Sequence, residues 1–72
     1  MSPLDHDPDA LQYALDKSGL TQKDFAAAIG KSQSLVSEML GGTRNARPEL
    51  IRRMADVLNC PVVVLERKRV AA

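Results

Sequence analysis

Gly30 and its neighbours constrain the fold of this chain more than any other stretch. Phe25, Ala26 and Ile29 have the spacing of a buried helix face, and that pattern stops at Ile29. Leu35, Val36, Met39 and Leu40 open a second helical face after a gap of about three residues centred on Gly30. Gly30 can take the left-handed conformation that closes a helix, and Ser32 is a good N-cap for the next one. So short a connection prevents an antiparallel hairpin and favours a steep corner. Ala26, Ala27 and Ala28 supply the small side chains that two crossing helices need at closest approach.

Start and stop signals divide the rest of the chain. Asp7-Pro8-Asp9 predicts a helix over about 8–18, with Asp7 as N-cap, Pro8 at the first position and Asp9 at the positive end of the dipole. Leu11, Ala14 and Leu15 form its apolar stripe, and Ser18-Gly19 ends it. Thr21-Gln22-Lys23-Asp24 matches a capping box, with Asp24 reaching back to the cap, and predicts a helix over about 21–29. Leu20, just before the cap, is placed to pack on Phe25. The third helix covers about 32–40 and ends at Gly41-Gly42. Pro48 and Glu49 open a fourth over about 48–58, with Leu50, Ile51, Met54, Ala55 and Leu58 on its buried side. The β-branched run at Pro61–Leu65 favours a strand by propensity, while its place in the chain favours a short helical turn around 62–66, which is the expectation adopted. Residues 1–7 read as a flexible acidic arm, 8–66 as one domain and 67–72 as a basic tail. The expected architecture is all-α, a bundle of four or five helices.

Composition narrows the function. At 72 residues the chain suits one domain with a modest core, and a deep-clefted enzyme is not expected. Aromatics are 3%, with Phe25 and Tyr13 alone, which removes readers that stack bases on aromatic platforms. Cys60 is the single cysteine, so no internal disulfide and no paired-cysteine metal or redox motif is expected. Cys60 itself reads as a small buried residue. His6 is the sole histidine and falls in the arm, without a nucleophile and base grouped around it, so no catalytic role or cofactor is expected. No apolar run could span a membrane and the N-terminus is acidic, so a cytoplasmic protein is expected. The net charge is only +1, yet residues 1–16 carry −4 and the remainder +5. A basic body suits a polyanionic partner.

Two helices joined at a tight corner make a helix-turn-helix. Leu20-Thr21-Gln22, Phe25-Ala26, Ile29-Gly30, Ser32, Val36-Ser37 and Gly42 stand at offsets that resemble the DNA-binding unit of the phage repressor and Cro class, also called XRE-like regulators. The resemblance extends over about residues 10–66. The chain departs from the pattern at Leu40-Gly41, where relatives often carry Glu before the closing glycine, and at the C-terminal Cys60–Leu65 segment.

The resemblance implies a lambda-repressor-like domain whose third helix enters the major groove of double-stranded DNA, in a sequence-specific transcriptional regulator of bacterial or phage origin, expected to be a repressor and nucleoid-associated when bound. Gln33, Ser34 and Ser37 are side chains able to hydrogen-bond base edges from the N-terminal end of such a helix. Glu38 can accept from cytosine or repel phosphate, and Leu35 either meets a thymine methyl or closes the core rim. By resemblance Gln22 meets a phosphate. Lys23, Lys31, Ser32, Thr43, Arg44, Asn45 and Arg47 are the further phosphate candidates, whereas for Lys17, Arg52 and Arg53, on helices away from the groove, a solvated surface charge is at least as good a reading.

So few cations imply weak binding by a monomer, which favours a homodimer on a two-half-site operator. Val62, Val63, Val64, Leu65 and Val70 are a candidate dimer surface, although Val63 and Leu65 could instead close the core. Arg67, Lys68 and Arg69 could track phosphates. About a dozen residues follow the fourth helix, so no sensor domain is expected. The alternative from another class is an adaptor or antitoxin that uses the same bundle to bind a protein.

Overall fold

Each of the first three helices begins where a side-chain oxygen replaces a missing backbone partner. In the computed structural model, which describes residues 4–67, α1 spans Pro8–Ser18, α2 Gln22–Ile29, α3 Gln33–Gly41, α4 Pro48–Leu58 and α5 Val62–Leu65. Asp7 accepts from the Asp9 and Ala10 N–H groups, Thr21 from Asp24 and Ser32 from Leu35, so each cap satisfies donors left free in the first turn. The capping box at Thr21 is only half made: Thr21 Oγ1 accepts from the Asp24 N–H at 3.0 Å, but among the described residues Asp24 gives no return bond to the cap. Gly19, Gly30 and Gly42 close α1, α2 and α3 in the left-handed region, and Asn59 closes α4 there at φ 54°.

The fold is all-helical, with a core of aliphatic side chains around one ring. Phe25 is fully buried, together with Leu11, Val36, Met39, Met54 and Leu65, and Ile29 and Ile51 lie almost as deep. α2 packs on α3 and α4, α1 on α3 and α5, and α5 closes the bundle against α1 and α4. The Pro61–Leu65 segment is therefore a helical turn. Packing outweighs its strand propensity because only a helix sends Leu65 inward while Val62 also packs against the core. Val63 does not close the core; it is 67% exposed, and Val64 is 41% exposed. Val70, Lys68 and Arg69 lie outside the described residues.

Residues 4–7, the described part of the segment expected to be a flexible arm, are instead held against the bundle. His6 is fully buried. Residues 5–7 run antiparallel to 65–67 through one isolated bridge between His6 and Glu66, with Asp7 N–H donating to Leu65 O at 2.9 Å and Arg67 N–H to Asp5 O at 3.1 Å. The physical reason is an inventory of buried backbone groups. Met39 O and the Ala46 N–H lie beneath the segment, and the two ring nitrogens of His6 satisfy both. Among the described residues no buried side-chain nitrogen or oxygen lacks a partner. Cys60 is half-buried rather than buried, and that partial burial raises its thiol pKa.

Candidate nucleic-acid interface

The α2–α3 corner is fixed by two backbone bonds and one from a side chain. Lys31 N–H donates to Ala26 O at 2.9 Å and Gly30 N–H to Ala27 O at 3.2 Å. Arg53 Nη1 donates to Ile29 O at 3.2 Å. These three bonds satisfy carbonyls that the end of α2 would otherwise leave free. Gly30, at φ 71°, supplies the conformation the corner needs, and Ser32 starts α3 two residues later.

α3 is therefore presented with one face inward and one outward. Val36 and Met39 are fully buried, which turns Gln33, Ser34, Ser37 and Glu38 outward, where all four are exposed. Leu35 sits between these states: it is partly buried and packs on the core, yet it also lines a surface cleft beside the start of α3. Among the described residues no side chain of that outer row has a side-chain partner apart from Glu38, whose Oε2 pairs with Arg44 Nε at 3.1 Å.

The loop after α3 is shaped by local bonds. Glu38 O accepts from both the N–H and the hydroxyl of Thr43, at 3.0 and 3.2 Å. Asn45 was expected on a phosphate, but its amide is engaged from both ends by Asp5: Oδ1 accepts from the Asp5 N–H and Nδ2 donates to Asp5 Oδ2, each at 2.7 Å. Both ends of the amide are thus occupied by Asp5, although Asn45 itself is exposed. Ala46 is fully buried and ties the loop to His6.

Of the remaining phosphate candidates, Lys23, Lys31, Ser32, Thr43, Arg44 and Arg47 are exposed and Gln22 is half-buried at the first position of α2. The cleft beside Leu35 brings Lys31, Arg44 and Arg47 together with Arg53. Arg53 is thus not a charge remote from the site. The sequence carried no signal for it, since the placement rests on the contact of α4 with the end of α2. Lys17 lies away from this surface in its contacts, with its ammonium 5.4 Å from the centre of the Tyr13 ring.

A family model described as helix-turn-helix matches residues 11–65, well over half of the chain. The chain belongs to the helix-turn-helix family of the phage repressor and Cro type. As a member of this family it is a DNA-binding helix-turn-helix regulator, and the matched span runs from the first buried residue of α1 to the last of α5. No curated protein matches it closely enough to be counted a relative. Among the described residues of this helix-turn-helix protein, no group of acidic, histidine and cysteine side chains is arranged to hold a metal ion, and no helix is long and apolar enough to cross a membrane.

Proposed function

We propose that this helix-turn-helix regulator binds specific sequences in double-stranded DNA with α3 in the major groove, and that it acts as a repressor. One observation carries the proposal: Gln33, Ser34 and Ser37 stand exposed on the outer face of a helix whose inner face is fully buried. Gln33 is suited to bidentate bonding with adenine, Ser34 and Ser37 act as donor or acceptor, and the exposed part of Leu35 meets a thymine methyl. Glu38, whose Oε2 is paired with Arg44, accepts from cytosine through its other oxygen or repels phosphate, and either effect adds selectivity at the edge of the site. Gln22, Lys23, Lys31, Ser32, Arg44 and Arg47 hold the phosphates on either side, while Asn45 sets the loop through Asp5 and Thr43 through both of its donors to Glu38 O.

The cations near the groove are few, so a second copy on an adjoining half-site would supply the affinity a monomer lacks. The exposed valines Val63 and Val64 on α5, with Arg67 beyond them, support a homodimer through this end of the bundle. Selection of bound fragments from random duplex DNA tests the whole reading. A motif with two-fold symmetry and half-sites about 10 bp apart is expected, and the Gln33→Ala, Ser34→Ala double variant should lose that motif while melting as the unaltered protein does. Enrichment of no motif, or the same motif from the double variant, overturns the proposal.

A further inference from the structure

The geometry points to a seat for one phosphate group in the cleft between the start of α3 and α4, with Arg53 as one of its binding residues. This deepens the DNA-binding reading and rests on it. The cleft holds about 320 Å³ and gathers cations from three separate parts of the chain: Lys31 from the corner, Arg44 and Arg47 from the loop, and Arg53 from α4. Glu49 is the carboxylate on its lining, and Arg44 shares its charge with Glu38. Lys31, Arg47 and Arg53 therefore outnumber the acid that faces them. Three like charges around one opening repel one another, and an anion seated among them converts that repulsion into attraction.

Arg53 is held for the task. Its bond to Ile29 O uses one of the five N–H groups of a guanidinium and fixes the fork against the end of α2. A planar fork fixed in this way suits the paired oxygens of a phosphate better than a mobile ammonium does. Leu35, on the same cleft, is the immediate neighbour of Ser34, so a phosphate bound here would lie beside the bases that α3 reads. The same guanidinium would then tie the duplex backbone to the corner and set the register of α3 on the bases.

Duplex affinity measured by fluorescence anisotropy across a salt series tests the inference, using the unaltered protein, Arg53→Gln, Arg53→Lys and Arg52→Gln as a neighbouring exposed control. Arg53→Gln should weaken binding to all duplexes by a common factor and flatten the log–log salt slope by about 0.9, the equivalent of one phosphate. Arg53→Lys should keep the slope and lose affinity, and Arg52→Gln should change neither. An unchanged slope in Arg53→Gln overturns the inference; if that variant also melts earlier, Arg53 only braces the corner. The DNA-binding reading survives that result if Gln33→Ala still loses base preference, whereas an unaltered protein that binds no duplex removes both. Titration of the free protein with inorganic phosphate, followed by amide NMR shifts at Lys31 and Arg53, separates the source. Saturable shifts with an unchanged DNA salt slope would assign the cleft to a free phosphate compound and overturn the duplex assignment.

Discussion

The imidazole of His6 and the backbone N–H of Ala46 meet at 3.2 Å across forty positions of the chain. The other ring nitrogen, Nε2, lies 2.8 Å from Met39 O. A carbonyl only accepts and an amide N–H only donates, so these partners select one neutral tautomer, with the proton on Nε2 and the lone pair on Nδ1. Through that ring the segment before α1 is joined both to the last turn of α3 and to the loop that follows it.

Replacing His6 by alanine therefore costs stability. The variant leaves the buried Ala46 N–H without its partner, worth about 1–3 kcal/mol, and takes from Met39 O one of two bonds, the other coming from the Gly42 N–H at 3.3 Å. Urea denaturation should show a loss of about 1–3 kcal/mol, and removal of residues 1–7, which also takes away the Asp7 cap of α1, should lose at least as much. A truncated protein as stable as the full chain would mean that this segment contributes nothing to the fold.

Adjacent glycines at the end of α3 should respond oppositely to alanine. Gly42 has φ 83°, which alone disfavours a side chain since a Cβ there would meet Pro8 Cγ at an ordinary 3.6 Å, whereas Gly41 is helical with open space around its Cβ position. Gly42→Ala is expected to destabilise by about 1–2 kcal/mol, the cost of a left-handed non-glycine residue. Gly41→Ala is expected to be neutral or to stabilise by up to about 1 kcal/mol. Thermal melting of the two single variants decides, and equal shifts would contradict the assigned backbone conformations.

The Glu38–Arg44 pair is exposed on both sides, so breaking it should alter stability by less than about 1 kcal/mol. Its effect on binding should be larger. Glu38→Gln removes a negative charge beside the proposed phosphate contacts and releases Arg44, which should tighten binding to arbitrary duplexes and steepen the salt slope by up to about 0.9. Weaker binding to every duplex would instead make Glu38 a favourable contact in its own right.

Partial burial of Cys60 raises its thiol pKa, so the folded state favours the neutral thiol. The thiolate is the reactive form. Alkylation by iodoacetamide should run slower in the native protein than in the urea-unfolded chain at the same pH near 8, and the stability this preference contributes should decline as pH rises past the ordinary thiol range. Equal rates in the two states would contradict the burial.

Most of the helical scaffold was legible because its signals are local. Asp7, Thr21 and Ser32 are read as caps from their own few neighbours, and they bond as caps in the structure. The stripes Leu11-Ala14-Leu15, Phe25-Ala26-Ile29 and Ile51-Met54-Ala55-Leu58 need only helical periodicity, and each is buried. The outward placement of Gln33, Ser34 and Ser37 follows from the same period, because burying Val36 and Met39 leaves them no other side.

What periodicity could not give were partners far along the chain. An acidic stretch with a lone histidine looks like an arm until a buried carbonyl at Met39 and a buried N–H at Ala46 are brought beneath it. Asn45 looks free for a ligand until Asp5 closes on its amide, and Arg53 looks like surface charge until α4 sets it against the end of α2. The sequence by itself determined the helices, the corner at Gly30 and the face of α3 that turns outward, since propensity, capping and period act within a turn or two. Only the tertiary structure decided the roles of His6, Asn45 and Arg53, because the backbone groups and side chains they satisfy become neighbours only after the bundle has closed.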